Sequence, residues 1–255
     1  ISVGIAEQNM MQMAAGLAKE GKIPVTGTYG VFCTGRPWDQ IRTTICYSNL
    51  NVKIAGAHGG VSVGPDGATH QALEEFSLMT ILPNMTVIVG CDSIESEKVT
   101  SYGILEVNGP TFFRFGREAT PVVTREETPF KFGVSNIYRF RGRKPNFLNA
   151  FEITSADQYE NENENIALIA CGAMVPEAMR AAWILNEVNN LEARIINLHT
   201  IKPLDEETIL KAVDEIGFIL TIEEHQVGGF GNIVAGAATR LKDKDRPLII
   251  DMVGV

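Results

Sequence analysis

A single carboxylate, Glu7, stands between a short apolar run and a helical pattern in VGIAEQNM, residues 3–10. No nucleophile, second acid or cluster of metal ligands lies beside it in the sequence. The positive end of a helix favours the ionised form of a nearby carboxyl, whereas burial among apolar side chains favours the neutral form. A carboxyl under both influences can share a proton with a partner base near neutral pH. The alternative is an acid that only caps the helix.

Two histidines, His58 and His70, enclose the Gly-rich stretch HGGVSVGPDGATH, and Asp66 lies between them. So much Gly and Pro predicts a loop without regular structure. A loop with two imidazoles and one carboxylate can bind a polyol, because these groups hydrogen-bond hydroxyls and exchange protons. Loop histidines that only face solvent are the alternative interpretation.

Two aromatic residues and two arginines lie at or just after the ends of predicted strands. Phe32, in YGVF, comes three residues after Tyr29, and a core phenylalanine is the interpretation that residue type alone supports. Arg117, in FRFGRE, follows the last predicted strand of the first domain, with Arg114 as the nearby alternative. By residue type alone Arg117 fits a solvated loop arginine.

The remaining histidines, His199 and His225, lie in the second half of the chain. The stretch HTIKPLD is typical of a strand end, a turn and a helix start, with Asp205 as N-cap. The stretch EEHQVGGFG fits either an interface loop or an anion site at a helix N-terminus. We expect a structural role and a dimer contact for this region.

Apolar strands and helices alternate along the chain, from an apolar strand at 1–5 to a helix at 228–243 and a strand at 247–253. Nearly continuous apolar strands separated by helices predict an α/β fold, with two three-layer domains and mostly parallel sheets. The predicted domains are 1–123 and 164–255. The interval 124–163, rich in Pro, Thr, Arg and Asn, is predicted to be a linker with about one hairpin.

The bulk composition narrows the function classes. The formal net charge of -9 argues against a nucleic-acid partner, because phosphate contacts need clustered Lys and Arg. The basic cluster RFRGRK, residues 139–144, fits a solvated loop or a contact with an anionic partner. Four cysteines without CxxC spacing predict reduced, buried thiols in a cytoplasmic protein. No apolar run reaches the roughly 18 residues of a membrane span. The first residue is Ile, which suggests part of a longer chain.

Six motifs resemble one family, in order and nearly in spacing. Four of them are similar to the pyrimidine-binding domain of transketolase-like thiamine diphosphate enzymes: VGIAEQNMMQMAAGLA, TYGVFCTGRPWDQIR, HGGVSVGPDGATHQ and ILPNMTVI. Two are similar to the C-terminal domain of the same family: INLHTIKPLD and EEHQVGGFG. The resemblance implies that 1–123 is a pyrimidine-binding domain without its N-terminal part, and that 164–255 is a transketolase C-terminal domain.

The resemblance also implies how the cofactor is held. Glu7 would hydrogen-bond the aminopyrimidine ring of thiamine diphosphate and stabilise its imino tautomer. Phe32 would stack on that ring, and Tyr29 lies where transketolases carry a second aromatic residue. The cofactor would then supply the nucleophile, which explains why no Ser, His or Cys nucleophile is needed.

The same resemblance implies the substrate contacts. His58 and Asp66 would meet substrate hydroxyls, His70 would lie near the reacting carbon, and Arg117 would grip the sugar phosphate. Catalytic roles therefore fall to Glu7, His58 and His70. The substrate-binding set is His58, Asp66, His70 and Arg117.

Departures from the family pattern accompany these matches. A further family aromatic would fall near Gly35, and the family usually has Asp where this chain has Gly59. The Gly-Asp-Gly motif that holds Mg2+ and the cofactor diphosphate does not occur. The resemblance therefore implies no metal site in this chain and a partner that supplies one. That partner is an N-terminal transketolase half or subunit, in a homodimer or a heterotetramer.

The implied activity is that of a transketolase C-terminal part or subunit. It would move a two-carbon ketol unit between ketose and aldose phosphates with thiamine diphosphate. Two alternatives share the fold: 1-deoxy-D-xylulose-5-phosphate synthase and the β subunit of a 2-oxo acid dehydrogenase. The synthase typically has Asp-Arg-Ala-Gly where this chain has GAHG, so His58 favours transketolase. A non-catalytic regulatory or binding subunit is the third reading.

Overall fold

The first sheet has four parallel strands and one antiparallel strand from far along the chain. The computed structural model describes residues 1–241 and 247–255. The strands of this sheet are β1 (Val25–Tyr29), β2 (Lys53–Ala57), β3 (Thr86–Ile88), β4 (Thr111–Arg114) and β9 (Thr200–Lys202). They lie in the order β1-β2-β4-β3-β9, and β9 pairs antiparallel with β3.

Helical segments connect these strands. They are α1 (Glu7–Lys19), α2 (Gly30–Thr34), α3 (Trp38–Gln40), which continues as a π-helix (Ile41–Cys46), a 3-10 helix (Val61–Asp66), α4 (Glu75–Thr80) and α5 (Ser93–Leu105). Helix α1 buries Met11, Ala14 and Ala15, and Gly21 follows it at φ +79°, the left-handed conformation that the predicted stop requires.

The second sheet has six strands. They are β5 (Asn136–Phe140), β6 (Phe151–Ser155), β7 (Ile166–Ala170), β8 (Ala193–Asn197), β10 (Phe218–Ile222) and β11 (Ile249–Val253). Their order is β11-β10-β7-β8-β5-β6, with β11, β10, β7 and β8 parallel. The helices of this half are α6 (Met174–Asn189), α7 (Glu206–Glu215) and α8 (Phe230–Leu241). Residues 242 and 243 of the helix predicted at 228–243 lie outside the described residues.

The predicted fold class is confirmed. Every residue of β7 and β8 is buried, as expected for strands that helices cover on both faces. The interval predicted as a linker, 124–163, holds the antiparallel hairpin β5-β6. This hairpin joins the second sheet, because β5 also pairs with β8.

The strand predicted at 1–5 is wrong. These residues form no strand, and Ile1 and Ile5 are 98% and 91% exposed. A strand needs a neighbour to complete its backbone hydrogen bonds. Among the described strands, β1 at this edge of the sheet pairs with β2 alone. Residues 1–5 therefore have the apolar, β-branched composition of a strand but no neighbouring strand to pair with.

The loop predicted at 58–70 contains more regular structure than expected. Residues Val61–Asp66 form 3-10 turns, which Gly64 interrupts with φ 75° and ψ -129°. This conformation is open to Gly at little cost, so the chain turns here without unwinding the short helical turns on either side.

The charged and cysteine-containing segments are explained by the fold. The arginines of RFRGRK are paired within the chain: Arg139 with Glu192, Arg141 with Glu162, and Arg143 with Glu187. The prediction of free, buried cysteines is confirmed for all four. No helix among the described residues is long and apolar enough to cross a membrane.

The predicted N-cap Asp205 is confirmed and generates a prediction about stability. Its carboxylate accepts from the Thr208 N–H and hydroxyl and from the buried Ser135 N–H. We expect Asp205→Ala to lower the free energy of unfolding by about 2–4 kcal/mol, because it removes the cap and also leaves a buried donor unpaired. Denaturant unfolding monitored by circular dichroism measures this change.

The control is Asn146→Ala. Asn146 is the N-cap of the short 3-10 helix Phe147–Ala150, and its side chain accepts a hydrogen bond from the Leu148 N–H. We expect a loss of under about 1 kcal/mol there. Equal losses in the two variants would show that Asp205 does no more than cap.

Candidate functional site

Glu7 is the first residue of α1 and is 9% exposed. The helix begins without a side-chain cap, because its N-cap residue is Ala6. The Glu7 carboxylate instead accepts from Nη1 of Arg36, at 3.2 Å to Oε1 and 3.1 Å to Oε2. The Glu7 side chain is thus largely withdrawn from water and held by one cation from the next helical region.

Arg36 also covers the aromatic ring of Phe32. Its guanidinium carbon lies 4.0 Å from the ring centroid, a cation–π distance. Phe32 lies on α2, and Arg36 lies in the turn that follows this helix. An open pocket of about 430 Å³ adjoins this contact. Its lining residues are Ile5, Ala6, Glu7, Gln8, Asn9 and Arg36.

Four of the predicted site residues form one aromatic cluster, which consists of Tyr29, Phe32, His58 and His70. The His70 ring meets Phe32 edge-on, with centroids 5.1 Å apart, and meets Tyr29 at 5.5 Å. Tyr29 also packs on His58 at 4.4 Å. Because Arg36 covers the ring of the same Phe32, the cluster links Glu7 to both histidines through a chain of contacts.

His58 is held in an unusual conformation. Its φ is 59°, a left-handed value that His adopts more often than most residues but at some cost. Its Nδ1 is buried and has no hydrogen-bond partner among the described residues. One ring nitrogen of the imidazole is therefore without a partner in the described part of the chain, and a ligand can reach it only if the atoms that cover it move. His70 uses its Nδ1 to bond the Thr69 hydroxyl at 2.8 Å.

Asp66 and Arg117 are joined to each other. Arg117 Nη1 donates to Asp66 Oδ2 at 2.6 Å and to the Val63 carbonyl at 2.7 Å. Both side chains are about one-third exposed, at 33% and 31%. The pair therefore lies at the surface of the loop that also carries His58 and His70.

Arg114, the alternative to Arg117, is occupied elsewhere. Its side chain is 2% exposed, and it donates from Nε to Glu75 at 3.0 Å and from Nη2 to Glu224. Burial opposes ionisation of Glu224, yet the Arg114 charge and the Ser62 hydroxyl hold the pKa of that carboxyl below its ordinary value. His225 Nε2 completes the group at 2.9 Å from Glu75. We call these four residues, Glu75, Arg114, Glu224 and His225, the buried charge cluster.

The buried charge cluster explains the departure at Gly59. A Cβ at this position would lie 2.1 Å from Glu75 Oε1 and 2.7 Å from Arg114 Nε. The Asp that the family usually carries has no room here, because a buried carboxylate already fills the space. At the other departure, Gly35 ends α2, and the ring of Phe32 is covered by Arg36.

Sequence reasoning missed Arg36, Glu75 and Glu224. Arg36 lies in the turn after α2, so helical spacing does not mark its contact with Phe32. No signal marked the two glutamates either, since burial cannot be read from residue type.

His199 and Cys33 show no sign of a chemical role. His199 is fully buried, its Nδ1 bonds the Thr200 hydroxyl at 3.0 Å, and burial lowers its pKa. Burial likewise raises the pKa of the Cys33 thiol far above its usual range, and the charges of Glu75 and Glu7 add to this. Cys33 is therefore no candidate nucleophile.

Comparison with known proteins now identifies the family. Residues 1–122 match the model of the transketolase pyrimidine-binding domain, and residues 157–250 match that of the transketolase C-terminal domain. The chain belongs to the transketolase family. This family depends on thiamine diphosphate.

Individual relatives agree with this assignment. A protein from Methanocaldococcus jannaschii, named for the C-terminal section of a transketolase, is 39% identical over 92% of this chain and 66% of its own length. A 1-deoxy-D-xylulose-5-phosphate synthase from Trichormus variabilis is 34% identical over 100% of this chain and 36% of its own. The solved structure of a split-gene transketolase, described as an inactive beta4 tetramer, superposes with a TM-score of 0.80 at 34% identity. That match covers 100% of this chain and 74% of the other.

The site fits the aminopyrimidine half of thiamine diphosphate. A carboxylate withdrawn from water, an aromatic face and an adjoining open pocket are what a planar ring with hydrogen-bonding nitrogens requires. Among the residues that the structure describes, no group of three or more His, Cys, Asp or Glu is arranged to hold a metal ion.

The geometry at Gly59 gives a prediction. We expect Gly59→Ala to lower the free energy of unfolding by about 1–3 kcal/mol or more, because the new methyl collides with a buried carboxylate. Thermal and denaturant unfolding of the purified chain measure the effect.

Gly16→Ala is the control, since Gly16 lies inside α1 with nothing within 4 Å of an added Cβ. It should raise stability by about 0.5–1 kcal/mol, the ordinary helix gain over Gly. A Gly59→Ala variant as stable as wild type would contradict the prediction, because it would show that the buried charge cluster can move to accommodate a methyl group.

Proposed function

We propose that this chain is the C-terminal part or subunit of a transketolase. It transfers a two-carbon ketol unit between ketose and aldose phosphates, together with an N-terminal half or subunit that holds the cofactor diphosphate and Mg2+. The observation that carries the proposal is the contiguous arrangement of Glu7, Phe32, His70, Tyr29 and His58, which sets a buried acid beside a ring-binding face and two imidazoles.

Each residue has a proposed task in this reaction. Thiamine diphosphate supplies the nucleophilic thiazolium carbon when bound. Glu7 holds a proton at the aminopyrimidine ring, in a place where water is largely excluded. Phe32, supported by Tyr29, stacks on that ring. These roles need no nucleophile from the chain itself.

The loop residues act on the sugar. His58 bonds a substrate hydroxyl, and His70 moves a proton near the reacting carbon. Asp66 bonds hydroxyls, and Arg117 binds the sugar phosphate. Their mutual ion pair is partly exposed and therefore weak enough to exchange for a substrate.

The assembly and location are also proposals. The chain spans about two thirds of the relative named for a transketolase C-terminal section and about a third of the synthase. A homodimer or a heterotetramer with the N-terminal half would complete the site. The reduced, buried cysteines favour a cytoplasmic protein.

The main alternative is the synthase reaction, which the similarity to the Trichormus variabilis enzyme supports. A 2-oxo acid dehydrogenase β subunit is a second alternative of the same fold. The histidine at His58, packed on Tyr29, favours ketol transfer over both. A non-catalytic subunit would have no use for an acid, an aromatic face and two imidazoles in one cluster.

The test is reconstitution. Calorimetry measures binding of thiamine diphosphate and Mg2+ to the chain alone and with candidate N-terminal halves. A coupled assay then follows transfer from xylulose 5-phosphate to ribose 5-phosphate. Binding and turnover after mixing support the proposal, cofactor binding without ketol transfer favours the alternatives, and no binding in any pairing favours a non-catalytic subunit.

Glu7 gives the sharpest prediction for this activity. We expect Glu7→Gln and Glu7→Ala to reduce kcat of the reconstituted enzyme by about 100-fold or more, because the proton-holding group is lost. Glu20→Gln, at the exposed end of the same helix, should leave kcat unchanged. Wild-type turnover by Glu7→Ala would refute the mechanism.

Arg36 gives a prediction about the affinity for thiamine diphosphate. Its guanidinium already makes the two contacts that the aminopyrimidine ring would make, a bond to Glu7 and a stack on Phe32. Ring and guanidinium cannot both occupy that place, so Arg36 must move. We expect Arg36→Gln to lower the Kd for thiamine diphosphate about two- to fivefold, since the ion pair is partly exposed and worth at most about 1 kcal/mol.

Arg42→Gln is the matched control, because Arg42 is a half-exposed arginine that lies over Trp38 and pairs with Asp39. Its Kd should equal that of wild type. A higher Kd for Arg36→Gln would instead show that Arg36 binds the cofactor directly.

A further inference from the structure

The loop of residues 58–72, which we call the substrate loop, is fastened by a segment of the second half of the chain. That segment, residues 223–226, follows β10 of the second sheet. The Val61 N–H donates to the Glu224 carbonyl at 3.0 Å, and the Ser62 hydroxyl donates to Glu224 Oε2 at 2.5 Å. A third bond runs from the Gln226 N–H to the carbonyl of Leu73, the residue directly after the loop. Backbone and side chain of the second half thus hold the loop at both ends.

The buried charge cluster lies directly beneath this contact. Glu224 is 4% exposed, and its two carboxylate oxygens serve different partners, Oε1 for Arg114 and Oε2 for Ser62. A Cβ at Gly60 would lie 2.4 Å from both Arg114 Nη2 and the Glu224 carboxyl carbon. The loop backbone next to His58 therefore rests against the Glu224–Arg114 pair.

Loss of the negative charge of Glu224 should displace the substrate loop. In Glu224→Gln the guanidinium of Arg114 keeps the carboxylate of Glu75, but its bond to position 224 loses the negative charge, and the Ser62 hydroxyl meets a neutral amide in place of a carboxylate. The glycine pair of the substrate loop lies directly against this contact, so we expect the loop to be the part that moves. Displacement of this pair would move His58, which is already strained at φ 59°.

We propose that Glu224 is a positioning residue of the active site. Its carboxylate, supplied by the C-terminal domain, fixes the substrate loop and thereby places His58 and Asp66 for the sugar. The inference rests on the proposed function and assigns the C-terminal domain a part in substrate binding. Glu7 lies on α1, outside the substrate loop, and is held by Arg36, so its part in cofactor binding should depend little on Glu224.

The adjacent residue provides a matched control. Glu223 is also 4% exposed and also ionisable, but its carboxylate bonds the N–H groups of Phe230 and Gly231 at the start of α8. None of its described hydrogen bonds reaches the substrate loop. Glu223→Gln therefore removes a buried charge at almost the same place without touching the loop.

The first measurement is hydrogen–deuterium exchange on the purified chain. We expect peptides within 58–72 to exchange about tenfold faster in Glu224→Gln than in wild type, because the loop opens locally more often. Glu223→Gln should leave these peptides unchanged and affect α8 instead. Unchanged exchange in Glu224→Gln, or equal acceleration in both variants, would overturn the proposal.

The second measurement is kinetic and uses the reconstituted enzyme with ribose 5-phosphate as acceptor. We expect Glu224→Gln to raise KM for the acceptor about five- to tenfold, since the substrate contacts are misplaced, with the Kd for thiamine diphosphate within about twofold of wild type. Ser62→Ala should raise KM in the same direction. The double variant should show less than the sum of the two effects, because both changes break one contact.

The outcomes separate the two proposals. If KM and the cofactor Kd worsen together, or if Glu223→Gln behaves like Glu224→Gln, Glu224 is a structural residue and the inference fails. If the wild-type enzyme transfers no ketol unit, the proposed function fails, and the exchange experiment alone decides whether Glu224 fixes the loop.

Discussion

The guanidinium of Arg114 imposes the strongest constraint on this structure. A buried cation is tolerated only with anionic partners, because water no longer solvates it. One partner, Glu75, comes from α4 of the first half, and the other, Glu224, follows β10 of the second. Glu75 belongs to the same half as Arg114, whereas the second carboxylate, Glu224, reaches the guanidinium only when both halves are folded against each other. Strand β9 reinforces this arrangement, because a segment of the second half completes the first sheet beside β3.

The fold was predictable where local pattern decides structure. Apolar runs such as those of β7 and β8 are buried on both faces, so their composition alone indicates parallel strands between helices. Prediction failed where a partner decides. The run at 1–5 has strand propensity without a neighbour, and the stretch HTIKPLD was read as a strand end and a turn although it contains β9, a separate strand that pairs in the other sheet. The local sequence pattern of a strand does not reveal which sheet the strand joins.

The site was predictable to a similar degree. Phe32, His58 and His70 were selected by residue type and by family resemblance, and the structure brings them into one cluster. The carboxylates of Glu75 and Glu224 were not selected, because nothing in their sequence distinguishes them from surface acids. Their burial arises from tertiary contacts between residues up to 162 positions apart. The glycine at position 59 was noticed as a departure, yet its reason is a neighbour that sequence order does not reveal.

Two arginine–carboxylate ion pairs in this molecule differ in burial, and the difference determines how easily each pair can be broken. The Arg36–Glu7 pair is 47% exposed on the arginine side, so water can replace either partner at little cost. The Arg114–Glu224 pair is buried on both sides, so water cannot readily take the place of a lost partner, although Glu75 still pairs with Arg114. The first pair can therefore open to admit a cofactor, whereas the second suits a permanent support beneath the substrate loop. Solvent exposure thus distinguishes the ion pair that the proposed function requires to open from the ion pair that it requires to remain formed.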